Sequence, residues 1–394
     1  MSPTTSDRIK NITINGSDGW EVFNKARKMI SNGEEVIELS IGEHDIRTSN
    51  NIIESMHESA LNGNTGYAEM QGLKKLRELI AKRNQDKTGD KTNPENIIIT
   101  PGGQAGLFAT HMATCNEGDK ALFLDPYYAT YPGTIRSVGA QAIPIKTQSM
   151  NGFQPTFEEI DLQANNAKTL LINSPNNPTG VVYSKDTLNS IAKAVIKHKL
   201  WLISDEVYDC QIWNGAHLTP RSINAITNQT LVIGSMSKSH AMTGFRCGWV
   251  IGPEPIIQNM VNLATSTTYG VPAFIQDAAY FALTKGSEIE KKVSEPFLRR
   301  YEAAKNILKN AENLKLIPGD GTMYLMLDIR NTGLSGNKFA NLLLDEKKIA
   351  VMPGESFGDA AAGHLRIAMT VADDIFQNSL SEIKEFAKNF KNTK

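Results

Sequence analysis

Short apolar runs alternate with longer amphipathic stretches through the middle of the chain. The runs are Ile97–Thr100, Ala121–Leu124, Ala142–Ile145, Leu170–Ile172, Trp201–Ser204, Leu231–Ile233 and Trp249–Ile251. Polar or turn residues bound each one, as expected of strands buried on both faces. Several of the gaps between them have helix length. Seven such strands with helical crossovers predict an α/β domain around a largely parallel sheet. The last third reads differently. Ser287-Glu288-Ile289-Glu290 has the spacing of a capping box. Ile289, Val293, Phe297, Tyr301 and Leu308 then keep a helical rhythm, which Pro296 is expected to kink or interrupt. Strand-like Met323–Leu327, a helix near 337–347, strand-like Ile349–Met352 and His364–Ala368, and a C-terminal helix from about Asp373 complete the pattern. This predicts a separate, smaller α+β domain beginning near 285.

Composition narrows the function. Lysine and arginine total 41 against 42 acidic residues, a net charge of −1, so no basic excess is available to grip a nucleic acid or an anionic membrane. Apolar residues make up 40% of the chain, which is globular rather than disordered. No run approaches the roughly 20 apolar residues of a membrane-spanning helix. The first twenty residues hold no apolar core of a secretory leader. Cys115, Cys210 and Cys247 are far apart and form neither a disulfide framework nor a zinc pattern. A cytoplasmic protein without a metal is expected.

The chemistry clusters just after the apolar runs. Pro101-Gly102-Gly103-Gln104-Ala105 follows the first, Ser174 to Gly180 follows Leu170–Ile172, and Asp205-Glu206-Val207-Tyr208 follows Trp201–Ser204. Gly234-Ser235-Met236-Ser237-Lys238 follows Leu231–Ile233, with Arg246 eight residues beyond the lysine. Ligands of open α/β sheets bind at the carboxyl ends of strands. Parallel strands would bring all four ends to one crevice. Singly, each feature reads as a turn, a helix start or a solvated charge. Together they describe a site for a small, charged, oxygen-rich ligand bearing a phosphate. No dinucleotide, P-loop, zinc-protease or nucleophile-elbow motif competes.

Ser174 to Gly180, Ser204-Asp205-Glu206-Val207-Tyr208 and Ser235-Met236-Ser237-Lys238 with Gly244-Phe245-Arg246 closely resemble the class I/II aminotransferases, pyridoxal-phosphate enzymes of fold type I. The resemblance runs from about Ile41 to Arg366. It implies a large cofactor-binding domain over 46–284 with a mainly parallel seven-stranded sheet. It also implies a smaller α+β domain built from both chain ends, 1–45 and 285–394. Lys238 would form the Schiff base with pyridoxal 5′-phosphate and shuttle the substrate proton. Asp205 would pair with the pyridine nitrogen and keep the ring an electron sink. Asn177 and Tyr208 would bond its phenolic oxygen, and Tyr128 would stack on it. The phosphate would sit on the amides of Gly103 and Gln104, with Ser235 and Arg246. Tyr67, opening Tyr67-x-x-x-x-Gly72, resembles the tyrosine that reaches the phosphate in the neighbouring subunit of a homodimer. Arg366 resembles the arginine that holds the substrate α-carboxylate by its planar fork, with the backbone at Gly42 and with Asn177 beside it.

The stretches Ser237 to Gly244, Thr268 to Gly270 with Phe274 to Ala279, and Gly321 to Tyr324 resemble one subset of the family, the arginine–pyruvate aminotransferases. That implies ping-pong transfer from an L-amino acid, arginine or another basic or broad-range donor, to a 2-oxo acid such as pyruvate. An aspartate- or aromatic-type aminotransferase is the alternative, as is a C–S lyase or synthase on the same fold. One departure counts against the aspartate type. No arginine occurs from 255 to 290, where one branch of aspartate enzymes places a second arginine for the distal carboxylate. Glu43 and Glu69 are candidates to meet a cationic donor tail.

Overall fold

The structure, a computed structural model, describes residues 3–13 and 19–390. All seven apolar runs form strands of one sheet. They are β2 (Ile97–Thr100), β3 (Lys120–Asp125), β4 (Gln141–Lys146), β5 (Ala167–Asn173), β6 (Trp201–Asp205), β7 (Thr230–Ser235) and β8 (Gly248–Ile251). Their order across the sheet is β2-β8-β7-β6-β5-β3-β4. Only β8 runs against its neighbours. Because β2 and β7 both oppose β8, they point the same way as each other. The carboxyl ends of β2, β5, β6 and β7 therefore share one edge, with Asn173 opposite Asp205 and Asp205 opposite Ile233. Separate apolar clusters cover the sheet. One is built around Leu170, Ile191 and Leu202, another around Phe123, Leu171 and Ile203.

A second, four-stranded antiparallel sheet has the order β12-β13-β10-β9. Its strands are β9 (Lys315–Leu316), β10 (Tyr324–Asp328), β12 (Met352–Pro353) and β13 (His364–Ala368). The run at 349–352 splits. Ile349–Ala350 forms β11, which pairs not with this sheet but in parallel with β1 (Ile37–Glu38) near the other end of the chain. Leu39 then accepts a hydrogen bond from the Ala368 amide at 2.9 Å. Val22, Ala26 and Leu39 share a core with Phe297, Phe339, Leu365 and Phe376. The N-terminal segment is thus built into the smaller layer, and its next residues reach the sheet edge described above.

The interruption expected at Pro296 does not occur. The helix Ser287–Leu308 runs through Pro296 without interruption. Val293, Phe297 and Arg300 on either side are buried, and the carbonyl that loses its bond, four residues back, belongs to exposed Lys292. Tertiary packing on both flanking turns outweighs one lost hydrogen bond. Nor does the capping box form. Gly286 is the N-cap and makes no side-chain cap bond. Glu290 instead accepts from Arg83 at 2.5 Å, an inter-helix ion pair that draws its carboxylate away from the helix start.

Candidate active site

One cavity of about 310 Å³ opens at the shared strand edge. Gly42, Gly103, Gln104, Tyr128, Asn177, Asp205, Tyr208, Ser235, Lys238, Arg246 and Arg366 all line it. Tyr67 does not. It is 88% exposed and packs against Tyr269 with ring centroids 5.5 Å apart.

At one end lies an anion cradle. Gly102 caps the helix Gly103–Thr114 at φ 81°, and the first amides of a helix have no partner within it. A Cβ on Gly102 would lie 2.3 Å from Arg246 Nη2, so glycine is what lets the guanidinium approach the turn. Arg246 is itself held by the carbonyls of Thr243, at 2.8 Å, and Pro101, at 3.4 Å. Ser235 and Ser237 add hydroxyls to the same wall. Unpaired amides, two hydroxyls and a cation suit a phosphate.

Asp205 is 4% exposed. Its Oδ2 accepts from the Tyr131 hydroxyl at 2.7 Å and its Oδ1 from the Val207 amide at 3.2 Å. Burial pushes its carboxyl up to about 6, opposed by those two donors and helped by Glu206 next to it. A buried acid in this state calls for a cation. A protonated ring nitrogen supplies one, and with it the carboxylate would ionise. Asn173 braces the position. It donates to the Asp205 carbonyl at 2.9 Å and accepts from the Asn177 amide at 2.8 Å.

Lys238 Nζ donates to the Gly42 carbonyl at 2.6 Å. Burial lowers its pKa, with the charges of Arg366 and Arg246 acting in the same direction and Tyr324 and Glu43 against. The amine is therefore easier to deprotonate than a surface lysine, as a nucleophile and base requires. The Tyr208 hydroxyl lies 3.1 Å from that of Tyr324, and burial holds its pKa well above the usual phenol range. Tyr208 therefore stays a neutral hydrogen-bonding group. Tyr128 meets Tyr131 edge to face at 5.8 Å, with its own pKa pushed up to about 12 by burial.

Arg366 sits in β13 and is only 2% exposed. Its guanidinium carbon is 4.3 Å from the Tyr324 ring and 4.5 Å from the Phe357 ring. Nη1 donates to Asn177 Oδ1 at 3.0 Å and Nη2 to the Ser40 carbonyl. Nε has no hydrogen-bond partner. A buried, unpartnered donor on a fully charged fork is costly unless something fills it, and a carboxylate in the cavity does so. A Cβ on Gly42 would lie 1.8 Å from the Tyr324 hydroxyl, so residue 42 must be glycine for the N-terminal segment to lie this close.

Four site residues went unread as such in the sequence. Tyr131 bonds Asp205, Asn173 braces it, Tyr324 faces both Tyr208 and Arg366, and Ser237 joins the anion wall. Asn173 carries a weak signal, since it directly follows the apolar run Leu170–Ile172. Of the two acids offered for a cationic tail, Glu43 lines the cavity. Glu69 instead pairs with Arg77 at 3.1 Å.

The sequence profile of the family described as aminotransferase class I and II matches residues 34–383. Over 379 residues the chain is 35% identical to the arginine–pyruvate transaminase of Pseudomonas aeruginosa, covering 96% of each. It is 31% identical to an aspartate/prephenate aminotransferase of Thermus thermophilus, covering 90% of this chain and 92% of that one. Among solved structures, the aspartate aminotransferase of Thermus thermophilus with maleate superposes with a TM-score of 0.91 at 29% identity, over 98% of this chain and 100% of the other. The aromatic aminotransferase of Pyrococcus horikoshii gives 0.87 at 30% identity, over 92% and 99%. An anion cradle, a buried acid and a depressed lysine at one strand edge thus coincide with a sequence match spanning both sheets, and the chain belongs to the class I and II aminotransferases.

Proposed function

We infer that this aminotransferase uses pyridoxal 5′-phosphate to move the amino group of an L-amino acid, arginine or another basic donor, onto a 2-oxo acid such as pyruvate. The observation that carries the reading is the convergence of Lys238, Asp205 and the open-forked Arg366 on one cavity. Gly103, Gln104, Ser235 and Arg246 would hold the phosphate, Asp205 the ring nitrogen, Asn177 and Tyr208 the ring oxygen, and Tyr128 the ring face. Bound there, the cofactor supplies an aldehyde for the amine and a protonated ring that accepts the electron pair left at Cα.

The remaining work falls to side chains of this chain. Arg366 fixes the donor's carboxylate through two parallel hydrogen bonds, with Gly42 and Asn177 beside it. Lys238 Nζ takes the proton from the donor's Cα. Burial lowers its pKa and so makes the free amine easier to reach. Tyr208, kept neutral by burial, shares a hydrogen bond with Tyr324 and holds the site's polar edge.

The donor assignment draws on the likeness to the arginine–pyruvate transaminase. The absence of arginine from 255 to 290 weighs against a dicarboxylate donor. Tyr67 does not line its own cavity and is accessible to a second copy, which supports a homodimer in which it completes the partner's phosphate site. Free cysteines fit the reducing cytoplasm. No described helix is long and apolar enough to cross a membrane.

Initial rates with varied donor and pyruvate should give parallel double-reciprocal lines, and borohydride reduction of holoenzyme should label Lys238. Intersecting lines, or a label on another lysine, would reject the reading. Pyruvate and ammonia released from a cysteine conjugate without an acceptor would move it to a lyase. Arg366→Lys keeps the charge and loses the fork. It is expected to lower kcat/KM for the donor by about 30-fold or more, the scale of a truncated buried charge pair, while cofactor affinity changes little. Equal losses in both would remove Arg366 from the carboxylate.

A further inference from the structure

β3 ends in Asp125, just before the segment that carries Tyr128 and Tyr131. Asp125 is 1% exposed and does not line the cavity. Its carboxylate lies instead against the turn from Gly354 to Ala361 that leads into β13. The Ala360 amide donates to its two oxygens at 3.3 and 3.2 Å. A Cβ on Gly358, at φ +112°, would come within 2.0 Å of Asp125 Oδ1, so only glycine admits the acid here. Two residues on, the Tyr127 amide donates to the Phe357 carbonyl at 3.0 Å. Phe357 is fully buried, and it is one of the two rings on which Arg366 rests. A short mechanical path therefore leads from Asp125 through the turn to the guanidinium.

We propose that Asp125 is a positioning residue for substrate-carboxylate recognition: ionised, it grips the 357–360 turn and sets Phe357 under Arg366; protonated, it relaxes that grip. The proposal rests on the role given to Arg366 above. Protonation turns one acceptor oxygen into a donor facing an amide, so the two forms cannot hold the turn alike. The charged groups facing Asp125 are Asp359 on the turn and Lys146 at the end of β4, themselves paired at 2.8 Å. Ala129 and Ala361, from the segments that follow Asp125 and Phe357, share an apolar cluster with Phe357. Burial pushes the Asp125 carboxyl up to about 7, with Asp359 adding to the effect and the Ala360 amide and Lys146 opposing it. The change of grip thus falls in the neutral range.

The sign is fixed by linkage. The folded protein keeps this proton up to about pH 7, whereas an ordinary aspartate releases it at 3.8. The stability it contributes is full below the lower value and is lost as pH rises through the upper one. Thermal melting of holoenzyme and Asp125→Asn from pH 5 to 8.5 should show wild type losing ground to the variant up to about pH 7 and levelling off above. Over the same range KM for pyruvate should fall several-fold in wild type as pH rises through 7, and this step should be missing in Asp125→Asn. If that variant does not fold, Asp359→Asn on the exposed side of the turn replaces it, and the melting break and the KM step should both move to lower pH. Parallel melting profiles, or the same KM step in variant and wild type, overturn the proposal. A wild type that melts as described but transaminates nothing would reject the functional reading and leave the titration of Asp125 standing.

Discussion

Lys238→Ala is expected to abolish measurable transamination, a loss of more than about 10⁴-fold in kcat. The side chain has two duties at one atom. It tethers the cofactor, and it carries the proton to and from the substrate. Its surroundings show why no neighbour can take over. The described cavity wall contains one lysine and two arginines, with Arg246 committed to the anion cradle and Arg366 buried between two rings. An arginine does not deprotonate in a protein. Tyr208 also lines the cavity, but burial keeps its hydroxyl firmly protonated. Single-turnover rates with donor and acceptor in turn give the check. Residual turnover above about one part in 10² would reassign the base. Added small amines should restore part of the proton transfer in the variant, since the vacated volume adjoins the Gly42 carbonyl.

Asp205→Ala carries the second largest effect, at least about 10³-fold in kcat, the scale of removing a preorganised electrostatic partner. Cofactor affinity should change far less, because the cradle of Gly103, Gln104, Ser235 and Arg246 is built from other strands and remains. The contrast with Asp205→Asn is informative. The amide keeps the volume and can still accept from Tyr131, but it cannot balance a cationic ring nitrogen. Both variants should therefore be slow, with the cofactor retained. A spectrophotometric cofactor titration beside the turnover measurement separates binding from chemistry. Loss of cofactor in proportion to activity would make Asp205 a structural residue of the strand end.

Much of this was readable before any coordinates, for identifiable reasons. Apolar runs bounded by turn residues mark buried strands, and polar residues just beyond them mark the carboxyl edge. Asp205, Lys238 and Asn177 therefore declared themselves. The direction of β8 did not, because Trp249–Ile251 is apolar in either orientation. Pro296 did not end its helix and Glu290 did not close a capping box, because local rules lost to packing and to Arg83. Tyr324 and Ser40 were hidden for another reason. One acts from an unremarkable strand and the other through a backbone carbonyl, and neither has a spacing that a linear pattern can show. Asp125 gave no sign, since its unusual state depends on a turn more than 200 residues away.

The reach of Arg366 back to Ser40 also bears on how the protein is made. Arg246, the last residue of the anion cradle, leaves the ribosome about 120 residues before Arg366 does. At roughly 5–20 residues per second, the newborn chain spends on the order of 6–24 s with its cofactor end complete and its carboxylate end missing. During that interval the opening segment has neither β11 nor β13 to pair with. An early-captured cofactor would then sit in a half-walled vessel, open to water on the side that the last tenth of the polypeptide is destined to close.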